Sequence, residues 1–219
     1  MTAERLARMR QVLDRRQPDL TVIMAGVHKE HNVSAVMRTC DAVGVPEVHA
    51  MGVHGHLAVK RTAAAGVGRR VPLRHCSDIE QGVADLKAAG YRILGAHLDP
   101  QARDFRQEDY CRSVAIMLGR EKEGLDPEAR AVCDGFIAIP MLGLTESLNV
   151  SVAAAVILYE AQRQREQAGL YDSPRLDEAT YQRLLFEWMQ PKLARYCRER
   201  NLPYPALDDD GHVRSLETG

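Results

Sequence analysis

Short apolar runs alternate with helical segments between residues 20 and 168, and this alternation constrains the fold more than any other feature. The clearest runs are LTVIMA at Leu20–Ala25, YRILGAH at 91–97 and VAIML at Val114–Leu118. Short runs that are apolar throughout are typical of strands buried on both faces of a parallel sheet. The helical segments would connect one strand to the next, which predicts an α/β fold with a mostly parallel sheet and helices on both faces.

Capping residues and glycines set the expected limits of these elements. Asn32 and Asp126 are expected N-caps, because short polar side chains accept hydrogen bonds from the free amides of a first turn. The predicted helices are 4–16, 32–43, 60–65, 78–89, 127–133, 147–168 and 177–189, with further strands at 48–51, 71–73 and 136–139. We therefore expect a basic N-terminal helical extension at 1–17, an α/β domain at 18–168, and a C-terminal helical extension with a polar tail at 169–219.

Composition excludes several classes of protein. Hydrophobic residues make up 45% of the chain and charged residues 27%, as in an ordinary globular protein. No apolar run approaches the length that spans a bilayer, and the N-terminus lacks the apolar stretch of a signal peptide, so we expect a cytoplasmic protein with no membrane partner. The five cysteines are scattered without a CxxC spacing, and the pairs His28/His31 and His54/His56 have no accompanying ligands, so no metal is expected.

The positive charge is clustered although the net charge is only −1. Arg8, Arg15 and Arg16 belong to an N-terminal cluster, a second cluster lies at 60–70, and Arg195 belongs to a third near the C-terminus. Such clusters either face solvent on a helix or bind phosphates, and the sequence leaves both interpretations open.

The segment 31–41 (HNVSAVMRTCD) is the first that could carry chemistry. Ser34, Arg38 and Asp41 are spaced to share one face of a helix, opposite the apolar face. Spacing alone is also compatible with an Asn32 cap and a surface ion pair between Arg38 and Asp41.

Two further segments follow predicted strands, at the sheet edge where parallel α/β folds bind ligands. The first, GREKEGL, begins at Gly119, where the lack of a side chain lets a ligand approach the backbone. The second, IPMLGLTESLNVSVA at 139–153, has an unusually long apolar loop before a helix start at Ser147 or Asn149. Helix starts of this kind bind anions, or are simply capped by these side chains.

In this order and spacing, NVSAVMRT, LGREKEGL and IPMLGLTESLNVSVAAA resemble the three motifs of the SpoU family of RNA ribose 2′-O-methyltransferases. The resemblance covers residues 20–168, and the flanks are similar to those of members that methylate a guanosine in the D-loop of tRNA. It implies a homodimer of SPOUT-type α/β domains with a C-terminal trefoil knot, S-adenosyl-L-methionine as the cofactor, and tRNA as the partner.

The resemblance also implies roles for single residues. Arg38 would be the catalytic arginine, Asn32 would support the site, and Glu121 would brace its loops. Ser147 and Asn149 would lie beside the cofactor and Arg38. Cofactor contacts would come from Leu94, Gly95, Ala96, Gly119, Ile139, Met141, Leu142 and Leu148, and RNA contacts from Arg8, Arg15, Arg16 and Arg195.

Two alternatives remain open at this level. The first is a 2′-O-methyltransferase that acts on ribosomal RNA or on another tRNA position. The second is a catalytically silent RNA-binding module on the same fold. The absence of GxGxxG, GxxxxGK[ST], GxSxG and HExxH patterns disfavours unrelated nucleotide-binding, hydrolase and zinc-peptidase classes.

Overall fold

A computed structural model describes residues 3–52, 66–121, 123–208 and 211–213. The chain divides into two compact units, one formed by residues 17–170 and the other by the residues before and after them. The predicted helix at 60–65 and the histidines at 54 and 56 lie outside the described residues.

The larger unit is built on a parallel seven-stranded sheet, which confirms the predicted fold class. The strands are β1 (Leu20–Ala25), β2 (Val48–Met51), β3 (Leu73–Cys76), β4 (Arg92–Ala96), β5 (Arg103–Asp104), β6 (Val114–Leu118) and β7 (Gly135–Ala138). Their order in the sheet is β3-β2-β1-β6-β4-β7-β5, and every pair of neighbours is parallel. β3 begins two residues later than predicted, and the short edge strand β5 has no apolar run that would reveal it.

Helices cover both faces of this sheet. They are α2 (Glu30–Val43), α3 (Ile79–Ala88), α4 (Pro127–Ala131) and α5 (Val150–Gln167). Ile116 of β6 packs in the cluster that contains α2 and α5, whereas its neighbours Ala115 and Met117 pack in the cluster that contains α3 and α4. Successive side chains of a strand point to opposite faces, so burial on both faces explains why the run VAIML is apolar throughout.

Two helix starts differ from the prediction. α2 begins at Glu30 after Lys29, so Asn32 lies inside the first turn and does not cap the helix. α5 begins at Val150, and Asn149 is its N-cap, accepting a hydrogen bond from the Ser151 amide. The Asn32 expectation was wrong because a sequence cannot distinguish an amide that caps its own helix from one that bonds to a distant segment.

Arg165 of α5 anchors the edge of the sheet where the strands begin. Its side chain is fully buried and donates to the carbonyls of Asp19, Tyr110 and Arg112. It also donates to the Gln17 amide oxygen and pairs with the Asp19 carboxylate at 2.7 Å. One buried cation thus connects α5 to the segments that precede β1 and β6.

The smaller unit consists of α1 (Ala3–Asp14), α6 (Glu178–Met189) and α7 (Pro191–Glu199). Leu6 and Leu13 of α1 pack against Leu185, Trp188 and Met189 of α6. α7 was not predicted, because its charged sequence PKLARYCRE buries only Ala194 and Cys197 and has little apolar signal. Over the described ranges, no helix combines the length and the apolar character needed to cross a bilayer.

Candidate active site

A pocket of about 240 Å³ lies where β4, β6 and β7 end. Neighbouring strands end together there, since Ala96 of β4 aligns with Leu118 of β6. The loops that follow the strands supply most of the lining, including Gly119, Glu121, Ile139, Met141, Ser147 and Leu148. A cavity therefore lies beyond the carboxyl ends of these strands, where the sequence led us to expect a ligand.

Gly119 is required by the close approach of two parts of one loop. A Cβ atom at this position would lie 2.2 Å from the Gly124 carbonyl carbon and 2.4 Å from the Leu125 nitrogen. The contact arises because Arg120 and Gly124 exchange backbone hydrogen bonds of 2.8 and 3.0 Å, which folds the loop back on itself. Only glycine at 119 therefore lets the loop fold back this closely beside the pocket.

The Glu121 carboxylate joins the three segments that the sequence singled out. Its Oε1 accepts hydrogen bonds from the side-chain amides of Asn32 and Asn149, both at 2.7 Å, and the Asn149 amide also lies 3.2 Å from Asn32 Oδ1. Its Oε2 forms an ion pair with Lys29. The structure thus brings Asn32, Glu121 and Asn149 together, although up to 117 residues separate them along the chain.

These contacts favour the ionised form of Glu121. The Lys29 ammonium, and after it the Asn32 amide, hold the pKa of the Glu121 carboxyl below its ordinary value. Asn149 meanwhile uses its other amide atom, Oδ1, to accept from the Ser151 amide and hydroxyl at 2.9 and 2.6 Å. One side chain therefore caps α5 and also contacts Glu121.

Arg38 lies on the exposed face of α2 and has no side-chain hydrogen bond or ion pair to any residue that the structure describes. The surface pair with Asp41 that the spacing allowed is not formed. Asp41 instead accepts two hydrogen bonds from Arg70, at 2.9 and 3.0 Å. Ser34, expected on the same exposed face, is buried. The Arg38 guanidinium is consequently available to a substrate.

The predicted cofactor residues divide into two groups. Ala96, Gly119, Ile139, Met141 and Leu148 line the pocket, as does Ser147. Leu94 and Gly95 are buried inside β4, and the space beside Gly95 is filled by Leu125, Phe136 and Cys133. Leu142 is fully exposed and does not line the pocket.

Several lining residues were not predicted. They are His97, Leu98, Leu118, Arg120, Glu123, Gly124, Ile137, Ala138, Glu146, Val150, Ala153 and Ile157. Their positions immediately after β4 and β6 were a usable signal for His97, Leu98 and Arg120, because ligands bind where parallel strands end. Lys29 was missed because a single lysine before a helix has no distinctive pattern.

The predicted RNA-binding arginines lie in the smaller unit. Arg8, Arg15 and Arg195 are exposed. Arg16 is a correction: its side chain is 0% exposed, and its guanidinium stacks over the Trp188 ring, 5.3 Å from the centroid. A buried guanidinium cannot reach a phosphate at the surface, so Arg16 belongs to the core of this unit.

The histidines and acidic residues form no metal centre in the described part of the chain. Within those residues, no three His, Cys, Asp or Glu side chains are arranged to hold a metal ion. His28 directs its Nδ1 towards the Gly26 carbonyl at 3.2 Å.

Nearly the whole chain is similar to two family models and to known proteins. The SpoU rRNA methylase family matches residues 19–159, and the C-terminal SpoU rRNA methylase model matches residues 163–215. The tRNA (guanosine(18)-2′-O)-methyltransferase of Escherichia coli is 49% identical over 217 residues, which is 98% of this chain and 95% of the relative. The enzyme of the same description from Thermus thermophilus is 50% identical over 189 residues, covering 86% of this chain and 97% of the relative.

Solved structures extend the similarity to three dimensions. The Aquifex aeolicus TrmH/SpoU tRNA modifying enzyme superimposes with a TM-score of 0.79 at 40% identity, covering 84% of this chain and 94% of that one. An AdoMet-bound rRNA methyltransferase from Sinorhizobium meliloti has a TM-score of 0.61 at 25% identity, covering 71% of this chain and 59% of that one.

Proposed function

The chain belongs to the SpoU rRNA methylase family, and within it we propose that the chain transfers a methyl group from S-adenosyl-L-methionine to the ribose 2′-hydroxyl of guanosine 18 in tRNA. The observation that carries the proposal is the cluster of Asn32, Glu121 and Asn149 beside the pocket, in a chain that is about half identical to two such enzymes. The near-complete overlap with tRNA enzymes disfavours ribosomal RNA or another tRNA position as the target, and the assembled cluster disfavours a silent module.

The pocket fits S-adenosylmethionine in its chemistry. Apolar walls from Ile139, Met141 and Leu148 suit an adenine ring and a methionyl chain, and Gly119 adds no side chain to the same lining. Acidic side chains at Glu121, Glu123 and Glu146 in the same lining suit a cofactor that carries a sulfonium charge. The related S. meliloti enzyme was solved with AdoMet bound.

When bound, the cofactor supplies a methyl group on a sulfonium whose leaving group is a neutral thioether. The protein must therefore align the 2′-oxygen with that methyl group and manage the proton of a weakly acidic hydroxyl. Asn32, Glu121 and Asn149 fix the loops that shape the pocket. Ser147 lies in the pocket wall, where its hydroxyl can hydrogen-bond to the cofactor or the ribose.

Arg38 is the residue we assign to the hydroxyl. A guanidinium keeps its proton near neutral pH and is therefore a poor base there. A charged Arg38 can instead bind the neighbouring phosphate with two hydrogen bonds and stabilise the developing alkoxide. Arg38 is exposed and bonds to no residue that the structure describes, which supports this role. The alternative is that Arg38 accepts the hydroxyl proton as a base.

The exposed arginines of the smaller unit are proposed to hold the tRNA backbone. The accessible cations are Arg8 and Arg15 on the N-terminal segment and Arg195 on α7. Arg16 is buried and is not part of this surface. Phosphate contacts position an RNA without reading its sequence, so these residues contribute affinity and not the choice of guanosine. We propose that the protein acts in the cytoplasm, where tRNA is found.

We also propose that the protein forms a homodimer and that its chain contains a trefoil knot. Leu98, Leu142, Leu144, Val152 and Tyr159 are large hydrophobic residues that are exposed around the pocket loops and α5. Exposed apolar side chains concentrated in this way mark an association surface, and a second copy of the chain would bury them. The knot would be formed by the chain between β6 and α5, whose loops both line the pocket. Sedimentation of the purified protein tests the dimer.

The central test is to map the methylated nucleotide. Unmodified tRNA is incubated with the enzyme and cofactor, digested, and analysed by mass spectrometry, with a transcript lacking guanosine at position 18 as the control. We expect one 2′-O-methylguanosine at that position and none in the control. Methylation elsewhere would favour the rival targets, and failure to bind S-adenosylmethionine in calorimetry would favour the silent module.

A further inference from the structure

Lys29 is placed to act on the site through Glu121. It is the N-cap residue of α2, where its carbonyl accepts hydrogen bonds from the amides of Asn32 and Val33 at 3.0 and 3.1 Å. These bonds fix the backbone of Lys29, and its side chain makes no cap. The ammonium group is therefore free to cross to the loop after β6, where it pairs with Glu121 Oε2.

Glu121 orients two amides through one oxygen and contacts Lys29 through the other. An ionised carboxylate has no proton and accepts at both oxygens, as this cluster requires. Glu121 Oε1 receives the NH2 groups of Asn32 and Asn149, and this fixes which amide atom each asparagine presents. Asn149 Oδ1 then faces the Ser151 amide at the start of α5. A proton on Oε2 would face the Lys29 ammonium, and a proton on Oε1 would face the two asparagine amides.

We propose that Lys29 is a positioning residue for the methyl transfer, whose ammonium holds the Glu121 carboxylate in place so that Asn32 and Asn149 keep their orientation beside the pocket. This inference rests on the proposed function. The side chain of Lys29 is 49% exposed and that of Glu121 21%. Because solvent screens the pair, it contributes little to the free energy of unfolding, and its main effect is to orient the Glu121 carboxylate.

The obvious rival is that Lys29 binds an RNA phosphate directly. The two roles have different kinetic signatures. A positioning residue lowers kcat and cofactor affinity and leaves the KM for tRNA unchanged, whereas a phosphate ligand raises that KM. A role through Glu121 also predicts non-additivity, because the Lys29 ammonium has no carboxylate to hold once Glu121 is replaced by glutamine.

The experiment is a double-mutant cycle of Lys29→Met and Glu121→Gln, with Lys29→Arg as the rescue variant. Lys87→Met is the matched control, because Lys87 also pairs with a carboxylate, Asp134 at 2.6 Å, away from the pocket. We expect Lys29→Met to lower kcat and cofactor affinity about tenfold (~1.4 kcal/mol), Lys29→Arg to recover most of the loss, and Lys87→Met to change neither. In the Glu121→Gln background, Lys29→Met should change cofactor affinity less than about twofold.

The pH dependence of cofactor binding supplies an independent reading. The pKa of Glu121 is lowered in the folded protein by Lys29 first, then by Asn32, with a further contribution from His31. Binding that needs the carboxylate is present above that lowered pKa and is lost as the pH falls through it. In Lys29→Met the loss should begin at a higher pH than in the parent protein.

Three outcomes would overturn the inference. They are a raised KM for tRNA with unchanged kcat, fully additive effects in the cycle, or an unshifted pH dependence of cofactor binding. Calorimetry and thermal unfolding with the cofactor need no RNA, so the cycle remains interpretable even if guanosine 18 is not the target.

Discussion

Asn149 donates a 2.7 Å hydrogen bond from Nδ2 to Oε1 of Glu121 while its own Oδ1 caps α5. The two functions use opposite ends of one amide, so they can be separated by substitution. Asn149→Asp keeps an oxygen for the cap, since aspartate is also a good N-cap, but replaces the donor by a second carboxylate. Like charges facing each other disfavour the ionised pair.

We expect Asn149→Asp to lower cofactor affinity and kcat by about tenfold or more, the size of losing one hydrogen bond to a charged group. Thermal unfolding without cofactor should change little, because the helix cap survives. Asn149→Ala is the comparison, and it should lose both the site geometry and about 1 kcal/mol of capping. Equal activity of Asn149→Asp and the parent would contradict a bracing role for Glu121.

Arg38 offers a separation of activity from stability. Because it is exposed and makes no bond to the described part of the chain, Arg38→Ala should change the free energy of unfolding by less than about 0.5 kcal/mol. The same change should lower kcat by at least about a hundredfold, the scale of losing a group that stabilises transition-state charge. Single-turnover assays and urea unfolding measure the two effects.

Arg38→Lys distinguishes the two chemical roles of this residue. An inactive lysine variant that still binds cofactor supports a two-bond clamp, because an ammonium cannot reproduce the planar fork of a guanidinium. Substantial activity with a shifted basic limb of the pH–rate profile supports a proton acceptor. Arg130→Lys, an exposed change on α4, is the control and should behave as the parent.

Gly119→Ala tests whether the pocket needs the close packing of this loop against itself. The new Cβ would meet the Gly124 carbonyl oxygen at 2.3 Å, and backbone atoms can yield only if the whole loop moves. We expect cofactor binding to be lost in calorimetry while the far-ultraviolet circular dichroism is retained. At Gly68 an added Cβ would be 3.8 Å from the Met37 methyl group, an ordinary contact, so Gly68→Ala should bind normally.

The pair Arg15 and Arg16 tests the RNA-binding surface with adjacent residues. Arg15→Glu should weaken tRNA binding and reduce the slope of log affinity against log salt by about one, as expected for a lost phosphate contact. Arg16→Glu should instead destabilise the smaller unit, because it buries a carboxylate where a guanidinium stacks on Trp188. Filter binding across a salt series and thermal unfolding give the two readings. An unchanged salt slope in Arg15→Glu would remove that residue from the proposal.

Arg165→Met tests the buried anchor of α5. Removing the guanidinium leaves the Asp19 carboxylate and three carbonyls without this donor, so the free energy of unfolding should fall by about 3–5 kcal/mol. Arg163 lies two residues earlier and is half exposed in a surface pair with Glu160, so Arg163→Met should cost less than about 1 kcal/mol. Urea unfolding of both variants decides the comparison.

The sequence predicted the centre of the sheet because β1 and β6 are buried on both faces, and such burial requires runs of apolar residues. β5 and α7 escaped prediction because neither buries enough apolar surface to leave a periodic pattern. The predictions for Asn32 and Arg16 were wrong for a different reason. Each is a polar residue in a plausible exposed context, and only the tertiary structure supplies the Glu121 and Trp188 partners that bury them.

At the site, the motif order identified the correct segments but not every side chain that faces the cavity. Leu142 follows a residue that lines the pocket, yet the backbone turns it to solvent. Gly95 lies in the correct strand, but a side chain at this position would point away from the pocket, towards Leu125 and Phe136. Orientation along irregular loops depends on the backbone path, which has no periodicity that a sequence could reveal.

The proposed role of the Glu121 cluster in cofactor binding also determines when the chain can first bind its cofactor. Its members come from positions 29, 32, 121 and 149, so the acceptor and its donors meet only after the sheet and both flanking loops are in place. A nascent or partly folded chain has no such site, and cofactor binding therefore reports completed folding. A cell with abundant cofactor would stabilise finished molecules selectively, by an amount that grows with the logarithm of its concentration.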